Sequence, residues 1–160
     1  MQIPDGVLRT YVDLVYNNYK SDPYAFERCA MEIAKMFLPE IHHDELTRPW
    51  RDGGRDATGL YRIGREAGAI DVEFALEAKC YATTTGVGVE SISRLISRLR
   101  HRQFGILVTT SYLHGQAYKE VVDDGHPVVI VAARDIAEKL KGRFGSVAAV
   151  QDWLRTIAIC

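Results

Sequence analysis

The segment IDVEFALEAKCY, residues 70–81, alternates apolar and polar side chains with a strict period of two. Its apolar face takes every second residue: Ile70, Val72, Phe74, Leu76, Ala78 and Cys80. Its opposite face carries Asp71, Glu73, Ala75, Glu77 and Lys79. This period is typical of a β-strand that turns one face to the hydrophobic core. The segment therefore predicts the strand around which the rest of the chain is arranged.

The segments around this strand predict an α/β fold. Apolar residues recur at helical spacing in the ranges 7–19, 22–37, 88–102, 111–122, 133–141 and 146–157. Further strands are predicted at 60–63, 104–109 and 127–132, whereas the polar stretch 39–58 predicts a loop. From residue 70 onward strands and helices alternate, which favours parallel pairing in the later part of a sheet flanked by helices.

Two local signals concern helix starts. Asp22 and Pro23 have the residue types of an N-cap and a first helical position. The hydroxyls of Thr109, Thr110 and Ser111, at the end of a predicted strand, are expected to cap the helix that follows.

Length and composition limit the organisation of the protein. The 160 residues, 47% hydrophobic and 26% charged, are typical of one globular domain over 1–160, with a core at about 22–141. An N-terminal helix at 7–19 and a C-terminal helix at 146–157 flank that core. The sequence contains neither an apolar run of about 18 residues nor a secretory signal. Three widely spaced cysteines favour reduced thiols and a cytoplasmic location.

The formal net charge of −1 indicates no particular partner. A nucleic-acid-binding role must therefore rest on local charge rather than on an excess of basic residues over the whole chain.

Three ionisable residues could form a reactive site. Glu77 and Lys79 lie two apart on one strand face, and Asp56 ends a glycine-containing segment upstream. Two carboxylates brought together by neighbouring strands suit Mg²⁺, and a lysine beside them could stabilise charge on a phosphate. On spacing alone, however, a solvated ion pair on the strand face is the simpler interpretation.

Five motifs that occur in order along the chain favour the metal site over the solvated ion pair. They are DPYAFERCAMEIAKMF (22–37), DGGRD (52–56), LEAKCY (76–81), GVGVESISRLISRL (86–99) and FGILVTTS (104–111). Together they resemble the Mrr-like catalytic domain of restriction endonucleases, in the PD-(D/E)xK nuclease superfamily, over roughly residues 22–140. The resemblance implies a restriction-endonuclease-like core with a central mixed β-sheet flanked by helices.

The resemblance also implies roles for individual residues. Asp56 and Glu77 would be ligands of Mg²⁺, with Mn²⁺ as a substitute, and the Ala78 carbonyl would add a ligand. Lys79 would be the catalytic lysine. Glu27 would be an accessory acid, and an exposed helix charge is an equally good interpretation of it. The chain departs from the family at Arg55, where the superfamily name has proline, and at Glu77, where the family often has glutamine.

Arginines surround the acidic motif in sequence and suggest contacts to DNA phosphates. The residues predicted to bind DNA are Arg51, Arg55, Arg94, Arg98, Arg100, Arg102 and, on the next helix, Lys119. For the arginines at 94–102, a solvated or ion-paired helix face is an equally good interpretation.

The function expected from these observations is a metal-dependent endonuclease that acts on double-stranded DNA and leaves 5′-phosphate ends. A catalytically idle DNA-binding or assembly subunit with the same fold is the alternative, and a related DNA repair or transposition nuclease is a further one. Cutting both strands needs two active sites, which predicts a homodimer during cleavage. Because the catalytic core nearly fills the chain, recognition of DNA is expected to involve a separate domain or subunit. No membrane partner is expected.

Overall fold

The computed structural model describes residues 1–46, 57–99 and 103–159. Within them the strands are β1 (Ile41–Leu46), β2 (Ala57–Ile63), β3 (Ile70–Lys79), β4 (Phe104–Thr109) and β5 (Val128–Val131). The helices are α1 (Gly6–Tyr19), α2 (Pro23–Phe37), α3 (Val89–Arg98), α4 (Gly115–Asp123), α5 (Ala133–Phe144) and α6 (Val147–Ile159). In the described part of the chain, no helix is both long and apolar enough to cross a membrane.

The strands form one mixed sheet in the order β1-β2-β3-β4-β5. β1 and β2 pair antiparallel, as do β2 and β3, whereas β3, β4 and β5 run parallel to one another. The segments between the parallel strands contain α3 and α4, as expected for crossover connections. The predicted α/β class, with its mixed sheet flanked by helices, is confirmed, and β3 lies at the centre.

The parallel half of the sheet is buried on both faces, which corrects the expectation that β3 turns only one face to a core. Phe74 and Leu76 pack in a large cluster with residues of α1, α2, α5 and α6. Ala75, on the opposite face of β3, packs with Leu107 and with residues of α3 and α4. The sequence pattern of β3 did not predict this second core, because Ala75 is the one apolar residue on that face of the strand.

The predicted loop over residues 39–58 is wrong in its first part, where the edge strand β1 lies. Its residues IHHDEL are mostly polar, and its pairing with β2 is interrupted between His42 and Glu45. His43 adopts a positive φ of 48° at this irregularity. Such a bulge breaks the alternation of side chains that identifies a strand in sequence. The prediction for residues 47–56 lies outside the described residues.

Other predicted boundaries shift by a few residues. α4 begins at Gly115 rather than Ser111, α5 continues to Phe144, and α6 extends two residues beyond its predicted end. The prediction of a helix over 88–102 is confirmed for Val89–Arg98, and its last residues, 100–102, lie outside the described part. The strand at 104–109 is confirmed at both ends.

The predicted start of α2 is confirmed. The Asp22 carboxylate accepts a 3.1 Å hydrogen bond from the backbone N–H of Ala25, and Pro23 occupies the first helical position. This cap determines where α2 begins, and Phe26 is completely buried one turn later.

We expect Asp22→Ala to lower the free energy of unfolding by about 1 kcal/mol, since the N–H of Ala25 loses its capping acceptor. Urea denaturation followed by circular dichroism measures this loss. Asp5→Ala is the matched control, because Asp5 occupies the N-cap of α1 but makes no side-chain capping bond within the described structure. Equal losses in the two variants would contradict the capping role.

Candidate active site

The last residues of β3 place a carboxylate and an ammonium side by side. Glu77 and Lys79 lie on the strand face that also carries Ala75 and is covered in part by α3. Lys79 Nζ is 3.0 Å from Glu77 Oε1. The Glu77 side chain is only 2% exposed, so the pair is not the solvated ion pair that spacing alone favoured.

Helix α3 brings two arginines to the same carboxylate. Arg94 Nη2 donates a 3.2 Å hydrogen bond to Glu77 Oε1, and Arg98 Nη1 lies 3.6 Å from Oε2. Residues four apart share one face of a helix, which is why both guanidinium groups reach one point on the sheet. Three cationic side chains therefore face Glu77. The structure pairs both Arg94 and Arg98 with Glu77. Their contacts to DNA phosphates stay a prediction.

The bonding in this cluster is incomplete. Glu77 Oε2 is buried and has no hydrogen-bond partner among the described residues, and the same holds for Arg94 Nε. A buried carboxylate oxygen without a hydrogen bond costs free energy. It is also a hard oxygen donor with unused capacity, which suits a divalent cation such as Mg²⁺. On this observation the residues present fit a metal site.

Hydroxyl groups at the end of β4 hold the chain that follows Glu77. Thr109 Oγ1 donates a 2.9 Å hydrogen bond to the Lys79 carbonyl, and Thr110 Oγ1 donates one of 2.7 Å to the Tyr81 carbonyl. Ser111 Oγ donates a 2.6 Å hydrogen bond to the carbonyl of Thr85. The expectation that these hydroxyls cap α4 is therefore wrong. Helix α4 starts only at Gly115, and the hydroxyls donate to carbonyls at the end of β3 and in the segment that follows it.

A cleft beside the end of β3 places Glu27 near Lys79. The cleft has a volume of about 230 Å³ and is lined by Pro23, Tyr24, Glu27, Ala78, Lys79, Cys80 and Tyr81. Helix α2 contributes Glu27, which is half-buried, so that residue is not simply an exposed helix charge. Burial raises the pKa of the Cys80 thiol to about 11, so Cys80 is a neutral thiol at neutral pH.

Several predicted site residues have no described position. Asp56, Arg51, Arg55, Arg100 and Arg102 lie outside the described residues. Within the part that is described, no group of three histidine, cysteine, aspartate or glutamate side chains could hold a metal ion. Lys119 is exposed on α4, which packs beside α3. The structure thus brings together Glu77, Lys79, Arg94 and Arg98, with Glu27 in the adjoining cleft.

The pairing of Glu77 with α3 was missed by the sequence reasoning, although signals for it existed. Arg94 and Arg98 are spaced four apart, and Ile92 and Leu95 show which side of the helix faces the sheet. The hydrogen bonds from Thr109 and Thr110 to carbonyls at the end of β3 had no signal in the sequence. They depend on the parallel pairing that sets Lys79 opposite Thr109.

Comparison with known proteins defines the class. The family model Mrr_cat, described as restriction endonuclease, matches residues 19–140, more than half of the chain. The chain belongs to the Mrr-like restriction endonuclease catalytic domain family. No curated protein matches the chain.

Two solved structures are similar to this chain. One is the DNA modification-dependent restriction endonuclease AspBHI, with 47% sequence identity and a TM-score of 0.91 over 99% of this chain. The other is MspJI restriction endonuclease in complex with a 27-mer oligonucleotide, with 27% identity and a TM-score of 0.80 over 96% of this chain. The chain spans only 41% and 37% of those two proteins.

We expect Thr109→Val to lower the free energy of unfolding by about 2 kcal/mol, because it removes two hydrogen bonds at an almost unchanged side-chain volume. Thr109 is completely buried and also accepts a 3.1 Å hydrogen bond from the backbone N–H of Ser111. Thermal or urea unfolding measures the loss. Thr156→Val is the control, since the exposed Thr156 hydroxyl donates to a carbonyl of its own helix, and we expect a change within about 0.5 kcal/mol. A similarly small change at Thr109 would contradict this assignment.

Proposed function

We propose that this chain is the cleavage domain of a metal-dependent DNA endonuclease. The observation that carries the proposal is the buried Glu77 carboxylate at the end of β3, with Lys79 two residues later and one oxygen that has no hydrogen-bond partner in the described part of the chain. A solvated strand face would leave the carboxylate in water. Membership of a restriction endonuclease family supports the same chemistry.

The residues proposed to hold the metal are Asp56 and Glu77, with the carbonyl of Ala78 as a further ligand. The ion proposed is Mg²⁺, with Mn²⁺ as a substitute, because carboxylate and carbonyl oxygens are hard ligands. When bound, the ion would lower the pKa of a water molecule and neutralise negative charge on the scissile phosphate. The assignment of Asp56 rests on the DGGRD motif and its resemblance to the family.

The chain's own residues would bind and orient the DNA. Lys79, which is 18% exposed and lies against Glu77, is proposed to donate hydrogen bonds to the attacking water or to a phosphate oxygen. Glu27, across the adjoining cleft, is proposed as an accessory acid. The arginines at 51, 55, 94, 98, 100 and 102, with Lys119, are proposed to hold neighbouring phosphates. Hydrolysis would leave 5′-phosphate ends, as the superfamily resemblance implies.

The substrate is proposed to be double-stranded DNA that carries modified bases. Support comes from AspBHI, whose name describes it as DNA modification-dependent and whose sequence is 47% identical. The chain spans less than half of AspBHI, which supports a separate domain or subunit for recognition of the modification. We propose that the protein acts in the cytoplasm of a bacterium or archaeon as part of a restriction system.

We expect Asp56→Ala, Glu77→Ala and Lys79→Ala each to lower DNA cleavage by at least about 10²-fold, because each removes a group that stabilises the transition state. The measurement is nicking of modified and unmodified supercoiled plasmid in Mg²⁺, Mn²⁺ or EDTA. Asp152→Ala and Lys141→Ala are matched controls, since both residues lie exposed on the C-terminal helices. We expect wild-type rates for them.

Retained cleavage in any of the three site variants would contradict the assignment of that residue. Binding of Mn²⁺ and DNA by the wild type without cleavage of any plasmid would favour a catalytically idle binding module instead.

We expect the protein to act on duplex DNA as a homodimer, because two active sites are needed to cut two strands. Size-exclusion chromatography with light scattering, in Ca²⁺ and with a cleavable duplex, measures the mass of the complex. Two protein copies per duplex are expected. A single copy on this duplex, for a protein that cuts both of its strands in Mg²⁺, would contradict this prediction.

A further inference from the structure

We propose that Arg94 is a switch residue that pairs with Glu77 in the DNA-free protein and moves to a DNA phosphate when the metal site is filled. The inference rests on the proposed function and assigns to the cluster a coupling between metal binding and DNA binding.

Arg94 is the most exposed of the three cationic residues that contact Glu77. Its side chain is 39% exposed, compared with 13% for Arg98 and 18% for Lys79. Arg98 and Lys79 are therefore more deeply buried than Arg94. Of these three side chains, Arg94 therefore has the most room to keep its helix position and direct its guanidinium to a group in solvent.

The Arg94–Glu77 pair is weaker than an arginine–carboxylate pair can be. Arginine binds a carboxylate best through two parallel N–H···O bonds, and Arg94 makes one bond of 3.2 Å to Oε1. Lys79 contacts the same oxygen. Arg94 Nε is buried and, among the described residues, has no acceptor. A phosphate offers the planar fork a second acceptor oxygen that Glu77 does not supply here.

The charge balance of the cluster works against a metal ion. Among the described residues, three cationic side chains contact the single carboxylate of Glu77, so positive charges outnumber negative ones at this partly buried carboxylate. A divalent cation brought to Glu77 would increase that excess, and the repulsion is strong where the effective dielectric constant is low. When Arg94 moves away, one positive charge leaves the surroundings of the carboxylate. The negative charge of an arriving DNA phosphate offsets a second positive charge.

It follows that metal and DNA bind with positive coupling. Metal at Glu77 releases Arg94 for the phosphate, and a phosphate that takes Arg94 exposes Glu77 to metal. Thermodynamic linkage requires the two effects to be equal in size. In the absence of DNA, Arg94 keeps the metal affinity low, so the reaction centre is assembled only on the substrate.

The test is titration of Mn²⁺ into the DNA-free protein, followed by isothermal titration calorimetry. We expect Arg94→Ala to bind Mn²⁺ about tenfold more tightly than the wild type, because a competing cation has gone. Arg155→Ala is the matched control: it removes the same charge at an exposed ion pair on α6, and we expect it to bind within about twofold of the wild type. If Arg94→Ala fails to fold, Arg94→Gln preserves most of the side-chain volume without the charge.

Unchanged or weaker Mn²⁺ binding by the Arg94 variants would overturn the proposal. Weaker binding is what a merely structural role predicts, in which Arg94 holds Glu77 in position. Plasmid cleavage by the same wild-type preparation separates this failure from failure of the proposed function. If the wild type cleaves DNA with metal but Arg94→Ala binds Mn²⁺ no more tightly, only the switch proposal is overturned. If the wild type neither binds metal nor cleaves DNA, both the switch and the proposed function are overturned.

A second measurement tests the coupling itself. The affinity for a labelled duplex is measured by fluorescence anisotropy in EDTA and in Ca²⁺, which prefers oxygen ligands. We expect Ca²⁺ to strengthen DNA binding by the wild type and by Arg155→Ala several-fold more than by Arg94→Ala. An equal gain in all three proteins would overturn the coupling.

Discussion

The burial of the Glu77 carboxylate at the end of the central strand is the constraint on which the rest of the site depends. A charge that is 2% exposed must be compensated by nearby groups of opposite charge. Lys79 supplies one from the strand itself, and α3 supplies two more through residues four apart. The position of α3 over the sheet is thereby tied to the chemistry of the strand, as well as to the apolar contacts of Ile92 and Leu95.

The same cluster of charged side chains lowers the stability of the domain locally. Within residues 1–46, 57–99 and 103–159, a buried oxygen of Glu77 and a buried nitrogen of Arg94 have no hydrogen-bond partner, and each such atom lowers stability by about 1–3 kcal/mol. These costs are offset by two apolar cores, one on each face of the sheet. The larger core packs four helices against β3 through residues such as Phe74 and Leu76. This packing fixes the strand that carries Glu77 and Lys79, so that their side chains keep an arrangement that is locally unfavourable.

The sequence predicted the regular parts of the fold because their patterns are local. The alternation in residues 70–79, the buried run 104–109 and the capping pair Asp22–Pro23 each identify an element without reference to the rest of the chain. β1 was missed because a bulge and four polar residues remove the alternation on which strand prediction depends. Its identity comes from pairing with β2, which a linear pattern does not show.

For the site, the sequence and its resemblance to a family pointed to Glu77, Lys79 and Glu27, which lie near one another in the structure, and their roles stay predictions. They did not predict that Arg94 and Arg98 contact Glu77, because a basic helix face can serve DNA or an internal carboxylate equally well. That choice depends on how α3 is rotated against β3. The hydroxyls of Thr109 and Thr110 were misassigned for a similar reason, since their acceptors come from a strand that is distant in sequence.

The irregular outer strand β1 has a consequence for the behaviour of the domain in concentrated solution. β1 and β5 are the two margins of the described sheet, and an open sheet margin can recruit a strand from another molecule and start aggregation. The bulge at His42–Glu45, with its charged and imidazole side chains, makes β1 a poor template for such pairing. The opposite margin, β5, is only four residues long and offers few ladder bonds. The feature that hides β1 from sequence analysis thus also protects the domain from edge-to-edge association.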